Sequence, residues 1–268
     1  MLTAAVQQVT SADGTPIAWD AVGAPDAPAV VVVGGAFSTA DAGRPLAQAL
    51  DAVGLRGIVL DRRARGGSGD ARPYAPEREV EDLRAVVSAA GGVVAVLGHS
   101  AGAVLTLLAA ADGLAVDHLF LSEPPFAFDP LRQPQAGDLV DRLQAAIDDG
   151  RPEDAVVLFQ REAVGLPEDT IRAIRSAPVW PALVAVAQST VYDATITGAT
   201  PVPSAAMSAV TTPVTVLRGG RTWPFLVTAT DRLAEVLPAG RLVVVPESVD
   251  HAVHPAGTAR EVAAALRA

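Results

Sequence analysis

The sequence predicts an α/β fold: a mostly parallel sheet with helices on both faces. Two observations carry the prediction. Short apolar, β-branched runs recur along the chain, and segments with helical spacing separate them. A third qualifies it, because an all-helical interval between Leu121 and Pro213 interrupts the alternation.

The first strand-like run is Ile17–Val22, followed by Ala29–Val33, Gly57–Leu60 and Val93–Leu97. The last three are apolar on both faces, as buried parallel strands are. Between them, Pro45–Val53 sets Leu46, Ala49, Leu50 and Val53 on one side of a helix, and Glu77–Ala90 does the same with Val80, Leu83 and Val87. Strands and helices in this order wind into a parallel sheet through right-handed crossovers. Helix Ala101–Ala111 and strand His118–Leu121 continue the pattern, and strand Pro213–Leu217, helix Phe225–Leu237, strand Leu242–Val245 and helix Thr258–Arg267 complete it. The interval holds helical stretches Asp138–Asp148, Glu153–Ala163, Glu168–Arg175 and Val179–Thr190, punctuated by Pro134, Pro152, Pro167, Pro178, Pro181, Pro201 and Pro203. It reads as a lid over the carboxyl edge of the strands, where open α/β sheets bind ligands. Residues 1–123 and 210–268 are thus expected to form the core, and 124–209 a helical cap.

Composition narrows the chemistry. The 268 residues include no cysteine, and all 20 residues of the Lys+Arg total are arginine. Without thiol or amine side chains, disulfides, thiolate nucleophiles, Schiff bases, Ser-Lys dyads and phosphate-loop lysines are excluded. A nucleophile must be a hydroxyl, a carboxylate or a histidine. The net charge of −10 argues against a nucleic-acid partner, since that affinity comes from clustered cations. Met1–Thr10 lacks a basic, then apolar, leader, and no run approaches the roughly 18 apolar residues of a membrane span. The expectation is a cytoplasmic monomer or homodimer with a small-molecule substrate, no membrane partner, and no metal or organic cofactor.

The strongest local signal is Gly98-His99-Ser100-Ala101-Gly102, directly after an apolar strand and before an apolar helix. A serine on a sharp strand-to-helix turn needs small neighbours and projects its hydroxyl from the sheet edge. The competing reading is a glycine-rich turn with an incidental serine. An activated serine needs a base. His99 lies within the turn and is expected to point away from Ser100, and His118 begins a strand. His251 and His254 remain, in the loop after the last strand, and His251 is preferred as the nearer to the sheet edge.

These pieces resemble the α/β-hydrolase superfamily over nearly the whole chain. The matching segments are Val30–Gly35, Leu60-Asp61-Arg62-Arg63-Ala64-Arg65-Gly66-Gly67-Ser68-Gly69, the turn at Ser100 and the late His251. The chain is most similar to small esterase-like hydrolases of actinobacterial type. The resemblance implies eight strands, with the lid inserted after the sixth. It also implies a triad in the chain order serine, acid, histidine. Most members carry the acid after the penultimate strand, where this chain has Thr222. The departure resembles haloalkane-dehalogenase-like and zearalenone-lactonase-like members, which place a glutamate after the strand that follows the nucleophile helix. Glu123, 23 residues beyond Ser100 in Leu121-Ser122-Glu123-Pro124-Pro125, occupies that place. Its alternative role is to cap the next segment or pair with a cap arginine. Asp250 adjoins His251 too closely in sequence to face it well, Asp193 suits a lid hydrogen bond, and Asp231 suits a helix N-terminus.

Oxyanion donors are expected from the backbone N–H groups of Ala101 and Ala36. Arg62, Arg63 and Arg65 read as structural partners of Asp61, Asp70 or Glu77. The chain is only 4% aromatic, so ring positions are informative: Phe37, Phe126, Trp180 and Trp223 are expected to line an apolar pocket above Ser100. Their alternative is to join lid to core. With serine rather than the dehalogenases' aspartate as nucleophile, the sequence points to hydrolysis of a carboxylic ester or lactone. A non-hydrolytic cyclase, lyase or small-ligand binding module using the same pocket is the alternative.

Overall fold

The computed structural model describes residues 6–128 and 135–267, which leaves Pro134 outside the described residues. Eight strands form one sheet: β1 (Gln7–Thr10), β2 (Pro16–Val22), β3 (Ala29–Val33), β4 (Arg56–Leu60), β5 (Val93–His99), β6 (His118–Ser122), β7 (Val214–Arg221) and β8 (Gly240–Val249). Their spatial order is β1-β2-β4-β3-β5-β6-β7-β8. The β1–β2 and β2–β4 pairs are antiparallel, and all others are parallel. Strand β1, Gln7-Gln8-Val9-Thr10, is the one that hydrophobic pattern did not mark. It is a largely exposed edge strand and needs no apolar face.

Alternation along the strands builds two cores. Val31 and Val33 of β3 join Ile58, Leu60, Val96 and Leu119 on one face, while Val30 and Val32 join Val59, Ala95, Leu97 and Phe120 on the other. Helices α2 (Pro76–Ala90), α3 (Ala101–Ala111) and α10 (Pro224–Val236) cover the first face. Helices α1 (Ala40–Asp51) and α11 (Pro255–Leu266) cover the second. Helix α1 starts five residues before the predicted Pro45. Its cap comes from elsewhere in the chain: Asp61 Oδ1 accepts the Ala40 N–H at 2.7 Å.

Between β6 and β7 the described residues contain no strand. They form α4 (Leu139–Asp148), α5 (Pro152–Phe159), a π-helical turn (Gln160–Val164), α6 (Glu168–Arg175), α7 (Trp180–Ala185), α8 (Gln188–Ala199) and α9 (Ala205–Ser208). The single helix expected over Val179–Thr190 is two, because Val186 and Ala187 break it before α8 begins. Leu143, Ala155, Phe159 and Tyr192 bury one another here, with Phe37 and Ala64 from the sheet loops packed against them. No helix among the described residues is long and apolar enough to cross a membrane.

Candidate active site

Ser100 sits between the end of β5 and the start of α3 with φ 54° and ψ −123°. A non-glycine residue there stores strain on the order of 1–3 kcal/mol. Close approach of the flanking backbone holds it. A Cβ at Gly102 would lie 2.3 Å from the Val33 carbonyl oxygen, and one at Gly98 would lie 2.4 Å from that of Gly102. The Ser100 N–H donates to the Ser122 carbonyl at 2.9 Å, tying the turn to the end of β6.

The same sheet edge delivers His251 and Glu123. After β8, Asp250 and His251 turn the chain with φ of 52° and 64°, and the Asp250 N–H is anchored on the Arg221 carbonyl at 2.8 Å. His251 Nε2 lies 3.0 Å from Ser100 Oγ, and its Nδ1 lies 2.7 Å from Glu123 Oε2. Since an ionised carboxylate only accepts, Nδ1 carries the proton and Nε2 is free to accept the serine O–H. Glu123, directly after β6, is 3% exposed. Its second oxygen accepts the Gly219 N–H of β7 at 2.8 Å. Burial alone would raise the Glu123 pKa, but hydrogen bonds from His251 and Gly219 outweigh it and hold the carboxyl below its ordinary value.

The other candidates separate cleanly. His254 caps α11, its Nδ1 accepting the Gly257 N–H at 3.1 Å, and does not meet Ser100. His99 turns its Nε2 to the His251 carbonyl at 3.1 Å. Burial, then the neighbouring His251, lowers the His99 pKa to about 3, so its imidazole is neutral and donates that bond. Asp231 lies well inside α10 rather than at its N-terminus, because the helix begins at Pro224, and it pairs there with Arg218 of β7. The ligating atoms of His99, Glu123 and His251 lie within 4.8 Å of one another, as a metal set could. His251 and Glu123 already bond each other, and His99 Nε2 bonds backbone, which describes a hydrogen-bonded relay.

Ala36 follows β3 in a loop across from Ser100, where a Cβ at Gly35 would come within 2.9 Å of the serine Cβ. Neither the Ala36 nor the Ala101 amide donates a hydrogen bond within the described residues. Arginines hold this loop. Arg65 Nη1 donates to the Gly35 carbonyl at 2.6 Å and the Ser38 carbonyl at 3.1 Å, and Arg62 Nη1 to that of Gly34 at 3.3 Å. Their carboxylate partners correct the expected ones. Arg62 pairs with Glu79 and Asp193, Arg65 with Asp193, and Arg63 with Asp82 and Asp13. Asp61 and Asp70 are engaged elsewhere, with Ala40 and Gly67 amides and with the Tyr192 hydroxyl. Asp193 on α8 is fully buried, so it is an ionic anchor rather than a simple lid hydrogen bond.

Above Ser100 and His251 opens a cavity of about 530 Å³. Phe37, Phe159, Leu166, Ile174, Leu183 and Trp223 contribute apolar wall, and among the described residues no Asp, Glu or Arg lines it. Phe37 meets Phe159 edge-on at 5.5 Å, and the Trp223 ring lies 5.1 Å from that of His251. Two predicted wall residues are elsewhere. Phe126 is 1% exposed and packs into the core with Phe128. Trp180 is buried against Val156 and Ala187, with the Arg175 guanidinium 5.9 Å over its ring. Both join the helical segment to its surroundings. Phe159 and Phe225, which sequence reasoning passed over, take their places in the wall. Their rarity as rings in this chain was the available signal.

A serine hydroxyl bonded to an imidazole whose other nitrogen is held by a carboxylate is the arrangement that base-assisted nucleophilic attack requires. Comparison with curated proteins finds no match. The family model described as "Alpha/beta hydrolase family" matches residues 23–265. Among solved structures, the chain is similar to an alpha/beta hydrolase from Sphaerobacter thermophilus, with 42% identity, TM-score 0.89, and coverage of 96% of this chain and 99% of that one. It shares its fold with a hydrolase from Pseudomonas aeruginosa, at 20% identity, full coverage of both chains and TM-score 0.74. It also shares it with an esterase from Exiguobacterium antarcticum, at 18% identity, coverage of 98% and 99%, and TM-score 0.69. The family match across strands β3–β8, and close likeness to a structure of the same description, lead to one conclusion: the chain belongs to the alpha/beta hydrolase family and is a hydrolase.

Proposed function

We propose that the protein cleaves a carboxylic ester or lactone with an uncharged, apolar body through an acyl-enzyme on Ser100. One observation carries the reading: the Ser100–His251–Glu123 relay, at 3.0 and 2.7 Å, ends in the floor of an apolar cavity. In the first step, Ser100 Oγ attacks the carbonyl carbon while His251 Nε2 takes the hydroxyl proton. Glu123 keeps the Nδ1 proton in place and offsets the imidazolium charge. The Ala36 and Ala101 amides donate to the oxyanion, and loss of one such donor typically costs about 3 kcal/mol of transition-state stabilisation. His251 then protonates the departing alcohol oxygen, and water, deprotonated by the same nitrogen, releases the acid.

Residues 124–209 act in this reading as a cap that gives the substrate body its walls. The apolar wall, and the absence of charged lining among the described residues, support a neutral substrate. A fluorophosphonate should label Ser100 alone, and Ser100→Ala should lose turnover of p-nitrophenyl acetate. Full turnover by that variant would sink the reading. In isotopically labelled water the product acid should carry the label, and an unlabelled product would point to the cyclase or lyase chemistry instead.

A further inference from the structure

Ser100 and His251 reach the site from strands that do not touch. Ser100 follows β5 and His251 follows β8, with β6 and β7 between them in the sheet. The backbone ties at this edge pass from one strand to the next: the Ser100 N–H donates to Ser122, the Gly219 N–H to Glu123, and the Asp250 N–H to Arg221. Apart from the Ser100–His251 bond itself, one bond crosses the whole span. His99, the last residue of β5, donates from Nε2 to the His251 carbonyl at 3.1 Å, and the two rings lie 4.8 Å apart. No other donor among the described residues reaches that carbonyl, and His99 Nδ1 makes no hydrogen bond among them.

This bond closes a small circuit. From Ser100 it runs along one peptide to His99, through the His99 imidazole to the His251 backbone, and through the second imidazole back to Ser100 Oγ. The turn it grips needs holding: Asp250 and His251 stand at φ of 52° and 64°, where a non-glycine residue persists only if its surroundings over-determine it. A neutral, enclosed histidine also weakens the fold as pH falls below its ordinary range, a liability that an apolar residue would not carry.

We infer that His99 is a positioning residue, whose Nε2–H holds His251 where its own Nε2 takes the Ser100 proton. The inference rests on the proton-transfer role proposed for His251 above. Proton transfer and attack tolerate little misplacement, since a shift of about 1 Å in a reacting group can cost about 100-fold in rate. The effect belongs in kcat, because losing the bond moves His251 relative to Ser100 and leaves the apolar walls in place.

The test compares wild type with His99→Leu, His99→Asn and His99→Gln. Glutamine carries its amide nitrogen about as far out as the histidine Nε2, asparagine falls short, and leucine has no donor. A second cavity of about 270 Å³, lined by His99, Ser38, Leu46, Leu97 and Val253, gives the replacements room. Should His99→Leu not fold, His99→Asn carries the comparison. On p-nitrophenyl acetate, His99→Leu and His99→Asn should lower kcat by about 10- to 100-fold with KM within about twofold of wild type, and His99→Gln should recover most of the loss. In proton NMR, the His251 Nδ1–H bonded to Glu123 should give a far-downfield signal in wild type and His99→Gln. That signal should broaden away in His99→Leu and His99→Asn, where the freed ring exchanges with water. Wild-type kcat in both of these variants, a loss that His99→Gln shares in full, or a change confined to KM overturns the inference. The NMR signal needs no turnover, so it separates the two claims. Its loss in His99→Leu and His99→Asn and survival in His99→Gln, with no ester cleaved by wild type, refutes the hydrolase reading alone. A signal unchanged in every variant refutes the role of His99, and leaves the hydrolase reading standing wherever the wild type cleaves the ester.

Discussion

Glu123 spends both oxygens on fixed donors, one on the imidazole of His251 and one on the Gly219 amide. Replacing it with glutamine keeps the volume and removes the charge and the acceptor that selects the Nδ1–H tautomer. Glu123→Gln should lower kcat by about 10³–10⁴-fold, as wrong-tautomer variants of such triads do, with little change in KM. Steady-state kinetics on a p-nitrophenyl ester checks this, and wild-type kcat would remove Glu123 from the mechanism. His99 makes a prediction about stability. Its folded pKa is about 3 against an ordinary 6.5, so the unfolded chain gains a proton first as pH falls. Stability should therefore decline with falling pH through that window, by at most about 1.4 kcal/mol per pH unit from this group. Urea unfolding at about pH 7 and about pH 5 should show a larger loss for wild type than for His99→Asn, and equal losses reject it. Both residues sit where local sequence could find them: His99 inside the glycine-flanked turn, Glu123 at a strand end. What sequence could not give was partner geometry, because Gly219 and Glu123 meet across a strand pair 96 positions apart.

Among elements, the notable join is between α8 and the loop after β3. Asp193 binds Arg62 and Arg65, and those arginines hold the carbonyls of Gly34, Gly35 and Ser38, so one carboxylate on a helix steadies the loop that presents the Ala36 amide. Asp193→Asn leaves buried Arg65 without a carboxylate partner and Arg62 with Glu79 alone, and chemical denaturation should register a loss of about 3–5 kcal/mol, the cost of breaking a buried pair. Under conditions where the variant remains folded, its kcat should fall more than its KM rises. A variant as stable as wild type would show the pair to be dispensable. The helices and parallel strands were legible because burial imposes periodicity on their side chains. The edge strand β1, the early start of α1 and the arginine partners were not. The first has no apolar face to read, and the other two depend on residues distant in sequence, Asp61 for the α1 cap and Asp193 for the arginines. The break between α7 and α8 also went unread, since apolar spacing continues across it.

For the whole molecule, the contrast lies between a chain with net charge −10 and a cavity whose lining, among the described residues, has no carboxylate or guanidinium. Anionic substrates meet repulsion outside and desolvation within. Ethyl hexanoate should exceed the monoethyl ester of adipic acid in kcat/KM by at least about 100-fold at neutral pH, since burying an unpaired carboxylate costs several kcal/mol. Matched rates for the two would refute an uncharged site. The positive-φ residues raise a different matter. Among the described residues, the non-glycine ones are Phe37, Ala64, Ser100, Glu123, Asp250 and His251, and they fall in the loops that assemble one sheet edge. Ser100→Gly should raise the melting temperature while abolishing turnover, because glycine accepts that conformation without the side-chain penalty. Breeding this protein for heat resistance alone would then reward glycine at Ser100, so any such programme must screen each round for hydrolysis or drift toward a hardier, inert protein.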